Sequence, residues 1–306
     1  MRTVPCDGLG AVSALGFGCA SLGSRISAPL GIKAVERALD AGITWFDVAP
    51  SYGDGAAETI LGDALKGAAV QIVTKVGLAA PPKGLLKRLA GAVARPVIAA
   101  LPGLRPLVKR LRPDAARRVA LDAETVRVGL LRSLERLRRD SVAVLALHDP
   151  STDDVRDEAI IRALCDLKDE GLAALIGVAG SPEAIRAAER AGLPVDVAQT
   201  AHSPFAPGLR PLLGMQAFTV SHSVFGVGGA LAALKAAAKR DPALLARLGY
   251  DDLPRLLLDY AFAANPRGVV IASSFAEGHL AANFAAASRA PVAGLVEKVD
   301  AALAGR

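Results

Sequence analysis

The sequence predicts an α/β protein: a (β/α)8 TIM barrel with a basic helical insert after the third strand. Three observations predict it. Eight short apolar runs alternate with helical patterns along 306 residues. The runs are strand-length and not amphipathic, which suits parallel strands covered on both faces. An open doubly wound sheet, the alternative, would want a glycine-rich nucleotide loop after an early strand. Here Gly16-Phe17-Gly18-Cys19-Ala20-Ser21 is followed by Leu22-Gly23, so the G-x-G-x-x-G pattern fails.

The predicted strands are Ala14–Phe17, Ile43–Phe46, Val70–Thr74, Val142–Leu147, Ala173–Val178, Val195–Ala198, Ala217–Val220 and Val269–Ala272. Between them, Ile32–Ala41 places Val35, Ala38 and Leu39 on one stripe and stops at Gly42. Ala123–Arg138 places Val126, Leu130, Leu134 and Leu137 on one face. Val155–Glu170 and Pro182–Ala191 end at Gly171 and Gly192, and Leu253–Ala264 and Glu277–Ser288 follow. No short-period repeat or strong linker interrupts the chain, so 1–306 reads as a single domain with an insert at 79–121.

Composition narrows the class. Hydrophobic residues make up 52% of the chain and the net charge is only +6, which excludes disorder. Three scattered cysteines, Cys6, Cys19 and Cys165, exclude a disulfide scaffold, and a reducing cytoplasm is expected. Neither a signal peptide nor a window of about 18 uninterrupted apolar residues is visible. Between Lys83 and Arg118 lie ten basic residues and one acid, a net +9, so the rest of the chain carries −3. The basicity belongs to the insert, which argues against a nucleic-acid-binding face.

In a barrel, chemistry sits where strands end. The second strand leads to Asp47, with Tyr52 in the loop behind it. The third leads to Lys75 and the fourth to His148. Each alone has an ordinary reading: a helix cap, a loop aromatic, a solvated lysine, a satisfied histidine. Together at one rim they form a chemical unit. An ammonium beside a phenol favours the phenolate and is expected to lower its pKa. A carboxylate is needed to keep that ammonium charged, and an imidazole can orient a carbonyl. The set is a proton donor beside a polarised carbonyl. It lacks an electron source, which a nicotinamide would supply.

The run Gly42-Ile43-Thr44-Trp45-Phe46-Asp47-Val48-Ala49-Pro50-Ser51-Tyr52-Gly53, with Glu58 and Leu61-Gly62 after it, resembles the aldo-keto reductase family. So do Val73-Thr74-Lys75-Val76-Gly77 and Leu147-His148-Asp149-Pro150. The resemblance runs from about Val12 to the last helix, broken by the insert. It implies a (β/α)8 barrel that interconverts carbonyls and alcohols with NAD or NADP. It also implies a catalytic tetrad at Asp47, Tyr52, Lys75 and His148. The His-Asp-Pro ending is similar to the sugar dehydrogenase branch.

On the cofactor side, the resemblance implies Gly18, Gln199, His222, Ser273, Ser274, His279 and Asn283. Gln199 matches a glutamine that holds the nicotinamide carboxamide, and His222 stands where an aromatic stacks on the ring. Ala179-Gly180 replaces the Ser-Asn pair usual after the fifth strand. Ala272–Asn283 contains no lysine or arginine for a 2′-phosphate and does contain Glu277. NAD is therefore expected to be slightly favoured. In such barrels loop side chains set the substrate, a small-molecule carbonyl or sugar; here the candidates are Cys19, Trp45, Val76 and the insert.

Other classes are weighed against this one. A metal-dependent barrel hydrolase would gather histidines at the mouth, but His148, His202, His222 and His279 lack ligand spacing, and no metal is expected. A cofactor-sensing or interaction subunit of the same fold is the other alternative. The intact tetrad argues against it. In the insert, Leu85-Leu86, Leu89 and Val93 form an apolar stripe, with Lys87 and Arg88 off it. A lid over the site is favoured there; a membrane-surface helix is possible but not favoured, and a solvated elaboration is the plain reading.

Overall fold

The structure is a computed structural model that describes residues 1–80, 116–226, 229–273 and 275–304. The chain opens with an antiparallel hairpin, β1 (Thr3–Cys6) and β2 (Gly10–Ser13). Val4 and Val12 of this hairpin are buried, and its Gly8 turn packs against Leu175. It covers the end of the barrel where the strands begin. The sequence reading misses it, because four-residue strands carry too little pattern.

Then come β3 (Leu15–Gly18), α1 (Ala28–Asp40), β4 (Trp45–Asp47), α2 (Ala57–Leu65) and β5 (Gln71–Val76). The two ends of the predicted insert meet in a ribbon of β6 (Leu78–Ala79) and β7 (Arg117–Arg118). Residues 81–115, where helices are expected, lie outside the described residues. The chain continues through α3 (Ala123–Leu137), β8 (Val142–His148), α4 (Glu158–Asp169), β9 (Ala173–Ala179) and α5 (Pro182–Arg190). Next are β10 (Val197–Ser203), β11 (Ala206–Pro207), β12 (Phe218–His222), α6 (Ala230–Arg240) and α7 (Leu244–Leu248). The last elements are α8 (Leu253–Ala264), β13 (Val269–Ile271), α9 (Glu277–Ser288) and α10 (Leu295–Ala304).

Eight strands, β3, β4, β5, β8, β9, β10, β12 and β13, pair in parallel. Val270 of β13 is in register with Leu15 of β3, which closes the ring. Closure explains the unbroken apolar runs, since each strand faces the barrel interior on one side and a helix layer on the other. With few aromatics, the core is mostly Leu, Val, Ile and Ala around Phe17, Trp45 and Phe46. Trp45 stacks at a tilt on Phe218, 5.6 Å between ring centroids, near the strand starts.

Two boundaries differ from expectation for identifiable reasons. The predicted helix Val155–Glu170 breaks after a short 3-10 turn, Asp154–Arg156. Asp157 is extended there, and its side chain accepts from the Ala159 and Ile160 amides, so it starts α4 anew. The sixth strand runs beyond Ala198 to Ser203. Its polar residues Thr200, His202 and Ser203 are buried by pairing with β12 and β11. Among the described residues no helix is long and apolar enough to cross a membrane.

Candidate active site

Asp47 closes β4, Lys75 is the penultimate residue of β5, and His148 closes β8. These strands are neighbours, with Asp47 in register with Val73 and Lys75 with Ala146. Side chains alternate across a strand, so Lys75 and Thr74 point to opposite faces. Lys75 reaches into the barrel. Thr74 faces α2, where its hydroxyl donates to Glu58 Oε1 at 2.6 Å.

Tyr52 comes from the loop behind β4. There the chain makes a 3-10 turn, Tyr52–Gly55, in which Gly53 has φ 61°. A Cβ on Gly53 would lie 1.6 Å from the Leu22 carbonyl oxygen. Only glycine lets this turn press so closely on the loop before α1, and the turn sets Tyr52 over the strand ends.

Lys75 Nζ donates to Asp47 Oδ2 at 2.7 Å and to the Val48 carbonyl at 3.0 Å, and it lies 3.4 Å from Tyr52 Oη. Side-chain exposure is 1% for Lys75 and 5% for Asp47, so this ion pair is sealed from water. Gln199 Nε2 donates to the same Asp47 oxygen at 2.9 Å. The His148 ring meets Tyr52 edge-on at 5.6 Å between centroids. Its Nδ1 is buried and has no partner among the described residues.

These contacts set the protonation states. Burial works against a charged Lys75, but Asp47 and then Tyr52 outweigh it, and the net shift is upward. Lys75 is a fixed cation at neutral pH. Burial pushes the Tyr52 phenol up, and Lys75 opposes that push without reversing it. This corrects the expected direction: the lysine does favour the phenolate, but desolvation is larger. Burial, with Lys75 and His222 adding to it, pulls His148 down to about 3, so its imidazole is neutral. The mouth thus holds a neutral phenol, a cation at its oxygen and a neutral imidazole at its edge. It can give a proton and stabilise the anion left behind.

The expected cofactor residues are spread over the remaining strand ends. Gly18 ends β3, and a Cβ there would fall 2.5 Å from Ser273 Oγ. His222 ends β12 and shares a 2.7 Å contact between Nδ1 and Ser223 Oγ. Burial lowers its pKa. Ser273 and His279 are exposed and Asn283 is buried on α9, while Ser274 lies outside the described residues. Glu277 lies 3.6 Å from Arg37 of α1.

The expected pocket residues fare differently. Cys19 and Trp45 are wholly buried and Val76 is 3% exposed, so these side chains present almost no surface to a substrate. Trp45 points toward the strand starts, against Gly16 and Phe218, and Val76 packs against Gly129 of α3. Sequence reading meets Asp149 only within the His-Asp-Pro ending and gives it no role of its own; its φ is +48°. The sequence offers only an acid between a strand-ending histidine and a proline, and because a residue before proline is normally extended, the left-handed turn is not readable from it. Among the described residues no group of three His, Cys, Asp or Glu could hold a metal ion.

Fold and site together define a (β/α)8 barrel protein with a buried polar cluster of carboxylate, ammonium, phenol and imidazole at the C-terminal mouth of its strands. Residues 14–220 match the model of the Aldo/keto reductase family, and the chain belongs to that family. It is 32% identical over 177 residues to L-galactose dehydrogenase of Arabidopsis thaliana, covering 56% of this chain and 46% of that protein. It is 33% identical over 178 residues to D-threo-aldose 1-dehydrogenase of a Pseudomonas species, covering 55% of this chain and 50% of that protein. The chain thus spans about half the length of these curated relatives. Among solved structures, glycerol dehydrogenase of Gluconobacter oxydans superposes with a TM-score of 0.75 at 17% identity, covering 99% of this chain and 95% of that one. At that identity the likeness is one of fold.

Proposed function

We propose that this protein is an oxidoreductase that interconverts a carbonyl and an alcohol, with a nicotinamide cofactor and Tyr52 as general acid and base. The observation that carries the reading is the sealed Asp47–Lys75 pair whose bonding ends at Tyr52 Oη, 3.4 Å from the ammonium. Desolvating such a pair costs several kcal/mol, on the order of 3 or more per ion. A barrel core does not need it, and a proton donor does. A subunit that only sensed a cofactor would have no use for it either. The two dehydrogenase relatives support a sugar or polyol within the substrate range.

A nicotinamide fits this mouth on two grounds. None of the mouth side chains can deliver hydride. Among them, His148 Nδ1 is buried and without a partner among the described residues, a polar atom that a bound polar group could satisfy, and Gly18 leaves the rim of β3 without a side chain, since a Cβ there would fall 2.5 Å from Ser273 Oγ. Gln199, His222, Gly18, Ser273 and Asn283 would hold the group along the remaining strand ends. When bound, it supplies hydride to the carbonyl carbon, or accepts hydride in the reverse direction.

In reduction, Tyr52 Oη gives its proton to the carbonyl oxygen as negative charge grows there. Lys75 holds the resulting phenolate until solvent reprotonates it. Neutral His148 donates an N–H to the same oxygen and fixes the direction of the carbonyl. Asp47 keeps Lys75 charged, and Gln199 braces Asp47. In oxidation the phenolate takes the alcohol proton. Glu277 and the lack of cations in Ala272–Asn283 favour NAD(H) at least as well as NADP(H). The chain leaves and rejoins the barrel just after Lys75, where the Val119 amide donates to the Gly77 carbonyl at 2.9 Å, and the lid expected between these two ends lies outside the described residues.

The test is turnover on a panel of aldehydes, ketones and sugars with NAD(H) and NADP(H), in both directions, with Tyr52→Phe alongside. Turnover that depends on Tyr52 is the expected result. Full activity in Tyr52→Phe, or no turnover of any carbonyl or alcohol, would overturn the reading.

A further inference from the structure

Two acids stand at the mouth, and they differ in what they are tied to. Asp47 is spent on Lys75 and Gln199. Asp149, next to His148 at the end of β8, has an exposed side chain, and no hydrogen bond or ion pair engages its carboxylate among the described residues. Its backbone is pinned, because its amide donates to the Ala179 carbonyl at 2.7 Å. Its φ of +48° is left-handed even though Pro150 follows, a conformation that the neighbouring strands must hold in place. A Cβ on Gly180 would come 3.5 Å from Asp149 Oδ1, so the glycine leaves open space beside that oxygen. The carboxylate's field also reaches His222 on β12, where it opposes the effect of burial on that ring. The carboxylate therefore stands at the rim between the ends of β8 and β9, next in the chain to the imidazole that would orient the carbonyl.

We propose that Asp149 is a specificity-determining residue that accepts hydrogen bonds from substrate hydroxyls on the carbons next to the reacting one. This rests on the oxidoreductase reading above and names its substrate class as polyhydroxylated, a sugar or polyol. An ionised carboxylate accepts through two oxygens and can take two vicinal hydroxyls at once. Such charge-assisted bonds are stronger than neutral ones. An unsubstituted aldehyde gains nothing from this group. A substrate carrying its own carboxylate is repelled, and Gly180 keeps the space beside Oδ1 free for the second hydroxyl.

The test uses the full chain without added cofactor, so that no probe turns over during the titration, as wild type and as Asp149→Asn. Binding of L-galactose, butanal and D-galacturonate is followed through the His148 and His222 ring signals by NMR. The variant is expected to bind L-galactose about tenfold more weakly, as loss of a charge-assisted bond implies. Butanal should change less than about twofold on the same reasoning, and galacturonate should bind more tightly. The His222 pKa should fall in the variant, because an opposing charge has gone. Equal losses for L-galactose and butanal, no loss at all, or an unmoved His222 would overturn the proposal. Turnover is scored separately. Activity with no binding contrast defeats this inference alone, and binding contrast with no turnover of any carbonyl defeats the oxidoreductase reading alone.

Discussion

Thr74 and Lys75 are neighbours on β5, and they open onto two buried charge clusters that end differently. On the outer face, Glu58 has both oxygens occupied, by Thr74 at 2.6 Å and by Arg136 Nε at 2.6 Å. Arg136 also reaches Ser133 at 3.2 Å. That cluster ties β5, α2 and α3 together and leaves none of these groups idle. On the inner face, Asp47 and Lys75 are as deeply buried, but their bonds run on to Tyr52, half-buried at the mouth. Beside it stands His148 Nδ1, which has no partner among the described residues. Burial and ion pairing are common to both clusters. What separates a fastener from a candidate for chemistry is whether the bonding closes on itself or ends at a group facing the mouth.

The largest expected effect tests that contrast directly. Tyr52→Phe removes only the terminal hydroxyl, so kcat should fall by about 10²–10⁴-fold, the usual worth of a general acid. Stability in urea should change by less than about 1 kcal/mol, since the 3.4 Å contact to Lys75 is long. Glu58→Ala is the mirror case. It strands Thr74 and Arg136 at a helix–strand junction, and unfolding free energy should drop by about 3 kcal/mol. Its kcat/KM should be retained. A loss of turnover without a loss of stability in this variant would erase the distinction between the clusters.

Acid should act through two buried histidines, His148 at the mouth and His202, which stacks on Tyr260 of α8 outside it. His148 is held at about 3 by burial, Lys75 and His222, and His202 at about 4 by burial and Arg210. The unfolded chain protonates these rings near 6.5, whereas the native one refuses the protons. Stability is therefore complete above about pH 6.5 and falls as pH drops toward the folded values, by up to about 1.4 kcal/mol per pH unit for each ring. A melting series from pH 7.5 to 4.5 checks this. His148→Asn should show a shallower decline than wild type, and an equal slope would mean that His148 is protonated in the native state. The smallest effect belongs to the rim. Glu277→Lys places a cation where Ala272–Asn283 has none and should shift the kcat/KM ratio toward NADPH by only a few-fold, about what an exposed charge contributes.

Much of the barrel is legible in the sequence. Strands covered on both faces need continuous apolar runs, and eight of them separated by helical stripes allow few other architectures. The four mouth residues are legible for the same reason: a parallel barrel sends every strand end to one rim, so position along the chain implies position in space. The missed elements have no such constraint. The hairpin β1–β2 is too short to show a period, and alanine-rich α6 lacks a clear apolar stripe. The restart of α4 depends on one aspartate side chain turning back to two amides.

The sequence by itself determined the fold class, the order of the elements and which residue types reach the mouth, because periodicity and chain order are local properties. Only the tertiary structure decided how those residues are bonded and charged. Whether the Tyr52 phenol shifts up or down depends on desolvation against the field of Lys75, and both are set by atoms distant in the chain. Whether Cys19 and Trp45 face a substrate or the core depends on which strands pack beside them. Asp47 is bound because Lys75 of β5 and Gln199, 152 residues further along the chain, both reach it, whereas no described residue engages the Asp149 carboxylate. Burial and electrostatics sum over neighbours in space, and spacing along the chain does not contain that sum.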